Sequence, residues 1–217
     1  MIDTDFASTD FVFMLRGAGM TLALTFWAVL GGTLMGFVFG VLRAVAPWWI
    51  NATLGVVLDV FRSIPLLIQF ILANSFKSIL GVDVSAFVVA CVVLAFYTSS
   101  YCAEIVRAGV LAVPTTTRRA ARSLGMTWWQ DLRFIVYPIA LRVSLPSWTG
   151  LTLGVMKDTA LVLWIGIVEL LRASQVIVTR IQEPLLVLSL CGLLYFLMSF
   201  PISRLGSYLE SKWREYD

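Results

Sequence analysis

Histidine is missing from all 217 residues. An imidazole proton relay and a histidine-based zinc site are therefore excluded. The three cysteines, Cys91, Cys102 and Cys191, lie in apolar stretches without paired or metal-ligand spacing, which marks them as inert core residues. No Gly-x-x-x-x-Gly-Lys-Ser/Thr stretch is present, so the chain lacks a loop to cradle the phosphates of ATP. Neither a nucleophile elbow nor a catalytic triad pattern occurs. Charge is scarce as well, with 13% of residues charged against 59% hydrophobic. These absences argue against an enzyme acting on its own and against a soluble globular domain.

What is there is a series of long apolar stretches. Five spans are expected, at 18–42, 55–76, 85–106, 138–166 and 184–208, each close to or above the ~20 residues that cross a bilayer. Asp59, Arg62 and Pro65 interrupt the start of the second. The predicted fold class is an all-α polytopic membrane protein, a single domain over 1–217, whose longest loop is 108–137. The N-terminus carries Asp3, Asp5 and Asp10 where a signal peptide has a basic region, so none is expected. With these spans, Arg43, Arg62, Arg107, Arg118, Arg119, Arg122, Arg133, Arg142, Arg204, Lys212 and Arg214 fall on one side. Arg16, Lys77, Arg172 and Arg180 fall on the other. The positive-inside rule then puts the 108–137 loop and the C-terminus in the cytoplasm and the N-terminus outside. An odd number of spans requires that outcome too.

The 108–137 loop is too polar to span and too patterned for disorder. Pro114 closes the extension of span three, and Thr115 or Thr116 is placed to cap a short helix that runs to Leu124 and stops at Gly125. Thr127-Trp128-Trp129-Gln130 has capping-box spacing for a second short helix. Ala120 and Ala121 carry almost no side chain, so a partner's groove can approach the backbone there. Arg118, Arg119 and Arg122 flank that contact and can pair with acidic groups. The same arginines could meet nucleic acid, but an inner-face membrane loop accounts for them more simply, and no nucleic-acid partner is expected. Trp128 and Trp129 suit the lipid headgroup layer. An ordinary interfacial segment is the plainer reading.

The register of the loop favours more than that. Ala120-Ala121, then three residues, then Gly125, then Ile135 and Pro138 resembles the Glu-Ala-Ala loop of permease subunits in ATP-binding-cassette (ABC) importers. Ala103-Glu104-Ile105-Val106-Arg107-Ala108-Gly109, Ser123-Leu124-Gly125-Met126-Thr127 and Tyr137-Pro138 are similar to the polar amino-acid uptake branch. So are Val60-Phe61-Arg62-Ser63-Ile64-Pro65-Leu66 upstream and Lys157-Asp158-Thr159-Ala160-Leu161-Val162 downstream. Two positions depart from that branch, which has Glu where this chain has Arg119 and Leu where it has Tyr137. The resemblance implies a multi-pass protein of a bacterial inner membrane, paired with a second permease copy or a paralogue. It implies a periplasmic amino-acid-binding protein outside and a cytoplasmic ATPase dimer, holding ATP and Mg, docked on Arg118, Arg119, Ala120, Ala121, Arg122 and Gly125. This chain itself binds no cofactor in that scheme, and lipid surrounds it.

Within the spans, Gly32, Gly36 and Gly40 recur at four-residue intervals, as do Gly150 and Gly154, and are expected to form static packing seams. Lys157 and Asp158 stand well inside span four, where each ionised group costs roughly 2.5–3.5 kcal/mol. A zwitterionic substrate needs one acidic and one basic group, so both are candidates for the pathway, with Gln69, Asn74, Thr149 and Thr152 adding hydrogen bonds. Glu104 with Arg107, Asp59 with Arg62 and Glu169 with Arg172 share i, i+3 spacing and are expected to pair structurally. Two rival readings are an ion-coupled secondary carrier and a non-transporting membrane docking subunit. The first expects internal repeats that the chain does not display. The second leaves Lys157 and Asp158 without a role.

Overall fold

The computed structural model describes residues 5–214; Asp3 and the side chain of Arg214 lie outside the described part. Among the described residues every regular element is helical. Helix α1 runs over Ser8–Val45, α2 over Trp48–Ser63, α3 over Leu66–Ile79 and α4 over Ala86–Leu111. A nine-residue α5 at Thr115–Ser123 and a single turn α6 at Trp128–Asp131 follow. A π-helical stretch, Leu132–Val136, leads from α6 into α7 at Tyr137–Asp158. A 3-10 turn at Thr159–Ile165, α8 at Leu170–Ile181 and α9 at Pro184–Arg214 complete the chain.

Three of these, α1, α4 and α9, are long and apolar enough to cross a membrane unaided. Two others qualify only as bent pairs: the first breaks inside the expected span 55–76, where Pro65 stands, and the second breaks just past the expected span 138–166. The first break is at Pro65. Proline has no N–H to continue a helix, and its ring drives the preceding residue out of the helical region. Consequently α2 and α3 meet at 98°. Gln69 Nε2 donates to the carbonyl of Ile64 across this break, at 2.8 Å. The second pair joins Trp128–Ile165 to α8 at 57°. Gly166, with φ +86°, ends the 3-10 turn in a conformation other residues adopt only under strain. The region read as an outer loop, 167–183, is thus largely helix.

Helix α1 also exceeds its expected span, with 38 residues and a length of about 57 Å against a hydrocarbon core of ~30 Å. Its start is fastened by Asp10, whose carboxylate accepts the Ala7 N–H at 2.9 Å and the Arg180 guanidinium at 2.5 Å. Helix α4 is the most enclosed of the three, with 56% of its apolar window buried against 28% in α1 and 11% in α9. Most of the α9 surface is therefore left for lipid or a partner.

The chain forms two compact units. One gathers residues up to 30 with 64–95 and 152–202; the other holds 31–63, 96–151 and 203 onward. In the first, Met14, Ala18, Leu170, Ile177, Ile181, Val187 and Cys191 make a core cluster. Its polar centre is Glu169, fully buried. The carboxylate accepts the Leu171 and Arg172 backbone N–H groups at 2.8 and 2.7 Å, capping α8, and the Tyr195 hydroxyl at 3.0 Å. The expected pairing of Glu169 with Arg172 is corrected accordingly: it goes to the backbone of Arg172, because a buried helix start needs its free N–H groups satisfied. Gly17 packs against this corner so closely that a Cβ there would lie 2.9 Å from the Glu169 carbonyl oxygen.

In the second unit the glycine seam of α1 is real at two positions. A Cβ on Gly36 would sit 2.5 Å from Cys102 Cβ, and one on Gly40 would sit 2.5 Å from the Ala103 carbonyl oxygen. In lipid, where apolar burial gives helices little reason to associate, such close backbone approach is what holds them. Gly150 and Gly154 differ from expectation, since a Cβ at either would meet nothing within 4 Å. They form no seam among the described residues.

Candidate functional site

The polar segment between α4 and α7 is built by two local devices. Helix α5 ends in a Schellman motif, in which Met126 N–H bonds the Ala121 carbonyl at 3.2 Å and Gly125 N–H bonds that of Arg122 at 3.0 Å. The motif requires a left-handed residue, and Gly125 supplies it at φ +86°. Thr127 and Gln130 then close the capping box, with Gln130 N–H donating to Thr127 Oγ1 at 3.3 Å and Thr127 N–H to Gln130 Oε1 at 2.8 Å. The start of α5 differs from expectation, because its N-cap is Pro114 with no side-chain cap, and Thr115 is already helical. Nor is there a second free short helix. The capping box opens a helix that continues through the π-helical stretch into α7.

Between these devices the arginines part company. Arg118 turns inward, and its Nε and Nη2 donate to Asp131 Oδ2 at 3.0 and 2.9 Å. Arg122 Nε stands 3.9 Å from the same oxygen. Asp131 is fully buried, and its other oxygen has no hydrogen-bond partner among the described residues. Arg118 is therefore engaged by its own chain, where the sequence alone offers it to a partner's acidic groups. Ala121 is buried too, so only Ala120 of the alanine pair is exposed. Arg119 and Arg122 remain at the surface, and with Thr115 and Arg118 they line a shallow concavity of about 220 Å³. Trp128 and Trp129 are exposed beside it, in edge-to-face contact with ring centres 4.8 Å apart.

A second charged group, not foreseen as a unit, centres on Glu104 of α4. One carboxylate oxygen accepts from Arg43 of α1 at 2.5 Å, the other from Arg107 at 3.0 Å. Arg62 of α2 lies 3.8 Å away and also pairs with Asp59. The i, i+3 pairs with Arg107 and Asp59 were legible from spacing; Arg43 was not. A helix packed at Gly36 and Gly40 brings it there, and Asn51 Oδ1 orients its Nε at 3.2 Å.

The four candidates for the pathway all fall in the first unit. Lys157 is exposed and Asp158 partly exposed at the last turn of α7, while Thr152 is buried. Gln69 lies on α3, which packs against the 3-10 turn that follows Asp158. The structure thus brings the helix of Gln69 against the segment opened by Asp158. Of the two further polar candidates, Thr149 donates to the Leu145 carbonyl at 3.0 Å and Asn74 accepts Ser78 Oγ through its backbone carbonyl.

Comparison with known proteins places this geometry. The glutamine transport system permease of Escherichia coli is 29% identical over 206 residues, covering 93% of each chain. The octopine transport system permease of Rhizobium radiobacter is 30% identical, covering 98% of this chain and 91% of its own. Among solved structures, a crystal structure of an amino acid ABC transporter with histidines superposes with a TM-score of 0.83 at 32% identity, over 92% of this chain and 94% of that one. An inward-facing methionine ABC transporter shares the fold, with a TM-score of 0.82 at 23% identity, over 96% of this chain and 99% of that one. The sequence profile of binding-protein-dependent transport system inner membrane components matches residues 32–215. This chain belongs to that family, the membrane-embedded permease subunits of ABC importers.

Proposed function

We propose that this chain forms, with a second copy or a paralogue, the path by which a polar amino acid enters a bacterial cell. A binding protein outside the inner membrane delivers the solute. Two ATPase subunits in the cytoplasm, which hold the ATP and Mg, dock on the segment 115–138. The observation that carries this reading is the company it keeps: relatives named for glutamine, glutamate and aspartate, and octopine align over more than nine-tenths of the chain. The substrate is therefore a polar amino acid or a derivative of one.

Counting each bent pair as one crossing gives five spans, and the lysine and arginine bias then sets the N-terminus outside and the C-terminus inside. In that orientation the Schellman turn and capping box face the cytoplasm, with exposed Ala120, Arg119, Arg122 and Gly125 as the docking face. Arg118 and Ala121 act from behind it, by holding α5 in place. Closure of the ATPases moves this face and shifts the spans between inward- and outward-open populations. Lys157 and Asp158 offer opposite charges to a zwitterion, with Gln69 and Thr152 nearby along the chain's first unit.

Gentle extraction of the protein tests the docking claim. A soluble ATPase co-purifies with the wild type and is lost on Arg122→Glu or Gly125→Asp; recovery of this chain alone, still transporting after reconstitution, would refute it in favour of an autonomous carrier. Asp158→Asn lowers uptake without loss of assembly if the carboxylate lines the path, and unchanged uptake removes it from the site.

A further inference from the structure

The second unit contains a cavity of about 480 Å³ beside the Glu104 cluster, lined among others by Arg62, Tyr101, Glu104, Ile105, Val143 and Ser147. That volume falls within the ~300–1,000 Å³ of small-molecule clefts. Its closed end is the contact of α4 with α7. There Ser144 Oγ donates to the Ile105 carbonyl at 3.2 Å, and a Cβ on Gly109 would lie 2.8 Å from the Ala140 carbonyl oxygen. Further along α7 the wall continues through Ser147 and Leu151.

The charge beside this cavity does not cancel. Three guanidiniums, from Arg43, Arg62 and Arg107, face two carboxylates, from Asp59 and Glu104. Glu104 already accepts from Arg43 and Arg107, so it has little left for an incoming ammonium group. Arg62 Nη1, by contrast, stands 3.8 Å from Glu104, too far for a hydrogen bond, and it borders the cavity. Arg107 Nε is buried without a hydrogen-bond partner among the described residues. The excess is one positive charge, backed by the hydroxyls of Tyr101 and Ser147. A guanidinium with two hydroxyls is suited to a carboxylate, and the apolar wall of Ile105 and Val143 to the aliphatic carbons that follow it.

We propose that this cavity is a second station on the transport path, one that takes the carboxylate of the amino acid on the cytoplasmic half of its passage. The proposal rests on the permease reading and adds a binding site to it, separate in sequence and chemistry from Lys157 and Asp158. Arg62 receives the carboxylate by giving up its loose approach to Glu104, and Tyr101 and Ser147 complete the contact.

The test uses the permease assembled with its ATPase in phosphatidylcholine nanodiscs, without nucleotide or binding protein. The probe is a labelled mixture of the twenty L-amino acids, and retained label is identified by chromatography. The wild type retains label. Ser147→Phe, which fills the cavity, loses it, and Tyr101→Phe, which removes one hydroxyl, weakens retention by about 5-fold. The methyl ester of the retained amino acid fails to displace it, while the free acid does. Wild-type retention in Ser147→Phe, or equal displacement by the ester, overturns the proposal. So does a switch of occupant: phosphatidylglycerol that stays bound in an Arg62-dependent manner while amino-acid retention ignores Arg62. ATP-driven uptake by the complete system in proteoliposomes is measured alongside. Uptake without retained label overturns the station and leaves the permease reading standing; absence of uptake overturns the permease reading itself.

Discussion

Replacing Asp131 by alanine measures how far the polar segment around α5 depends on one buried carboxylate. Arg118 makes two charge-assisted hydrogen bonds to it, each worth ~1.5–3 kcal/mol when partners are charged. They share a single oxygen, and the Arg118 side chain is 30% exposed, so it rehydrates once released. A net loss of about 3 kcal/mol follows, roughly two orders of magnitude in the population of detached α5. The opposite truncation, Arg118→Ala, is more damaging, at about 3–5 kcal/mol, because Asp131 is wholly buried and cannot rehydrate. Arg122, 3.9 Å away, offsets only part of that. Trypsin cleavage after the exposed Arg119 and Arg122 reads the detached population directly when reclosing outpaces cutting. Cleavage accelerates up to about 100-fold in Asp131→Ala and further in Arg118→Ala, and ATP hydrolysed per amino acid imported rises in the same order. A wild-type cleavage rate in Asp131→Ala, or the reverse ranking of the two variants, refutes the reasoning.

Three more outcomes are expected. Glu169→Ala removes the cap of α8 and strands the Tyr195 hydroxyl, costing about 2–4 kcal/mol and lowering the melting midpoint by on the order of 10 °C; Tyr195→Phe, which leaves the cap intact, lowers it by about a third as much. Gly40→Val abolishes accumulation of folded protein in the membrane, since its Cβ would press on the Ala103 carbonyl, whereas Gly154→Ala accumulates as the wild type does because nothing stands within 4 Å. Gly125→Ala meets no steric obstacle, yet its left-handed backbone costs about 1–2 kcal/mol, visible as faster tryptic cleavage of α5 with normal expression.

The local chemistry of this chain was the part its sequence disclosed. Gly125 announces a left-handed cap, and Thr127 with Gln130 announces a capping box, because each device is specified within six residues. The i, i+3 partners of Glu104 and Asp59 are legible for the same reason. What escaped depends on distant packing. Arg43 reaches Glu104 across 61 residues only because Gly36 and Gly40 let two helices close, and Tyr195 finds Glu169 across 26. Ala121 and Arg118 looked available to a partner because spacing alone does not say which face of α5 lies against Asp131. Pro65 marks the break in span two, but the packing of α3 on the turn after Asp158 is not written in any nearby residue. The cavity beside Arg62 draws on α2, α4 and α7, and no single stretch of sequence encodes it.

The π-helical stretch at Leu132–Val136 has a mechanical consequence. A wider i→i+5 turn carries one residue more than the α register, so converting it to α-helix would rotate Trp128–Asp131 by about 100° around the axis of α7. Such a change exchanges hydrogen bonds instead of breaking them. With that conversion available, the helix that begins at the capping box would act as a shaft with a clutch: pushes along its axis would pass straight into α7, while twists would slip at these five residues. Force and torque applied at the capping box would then reach α7 by different amounts.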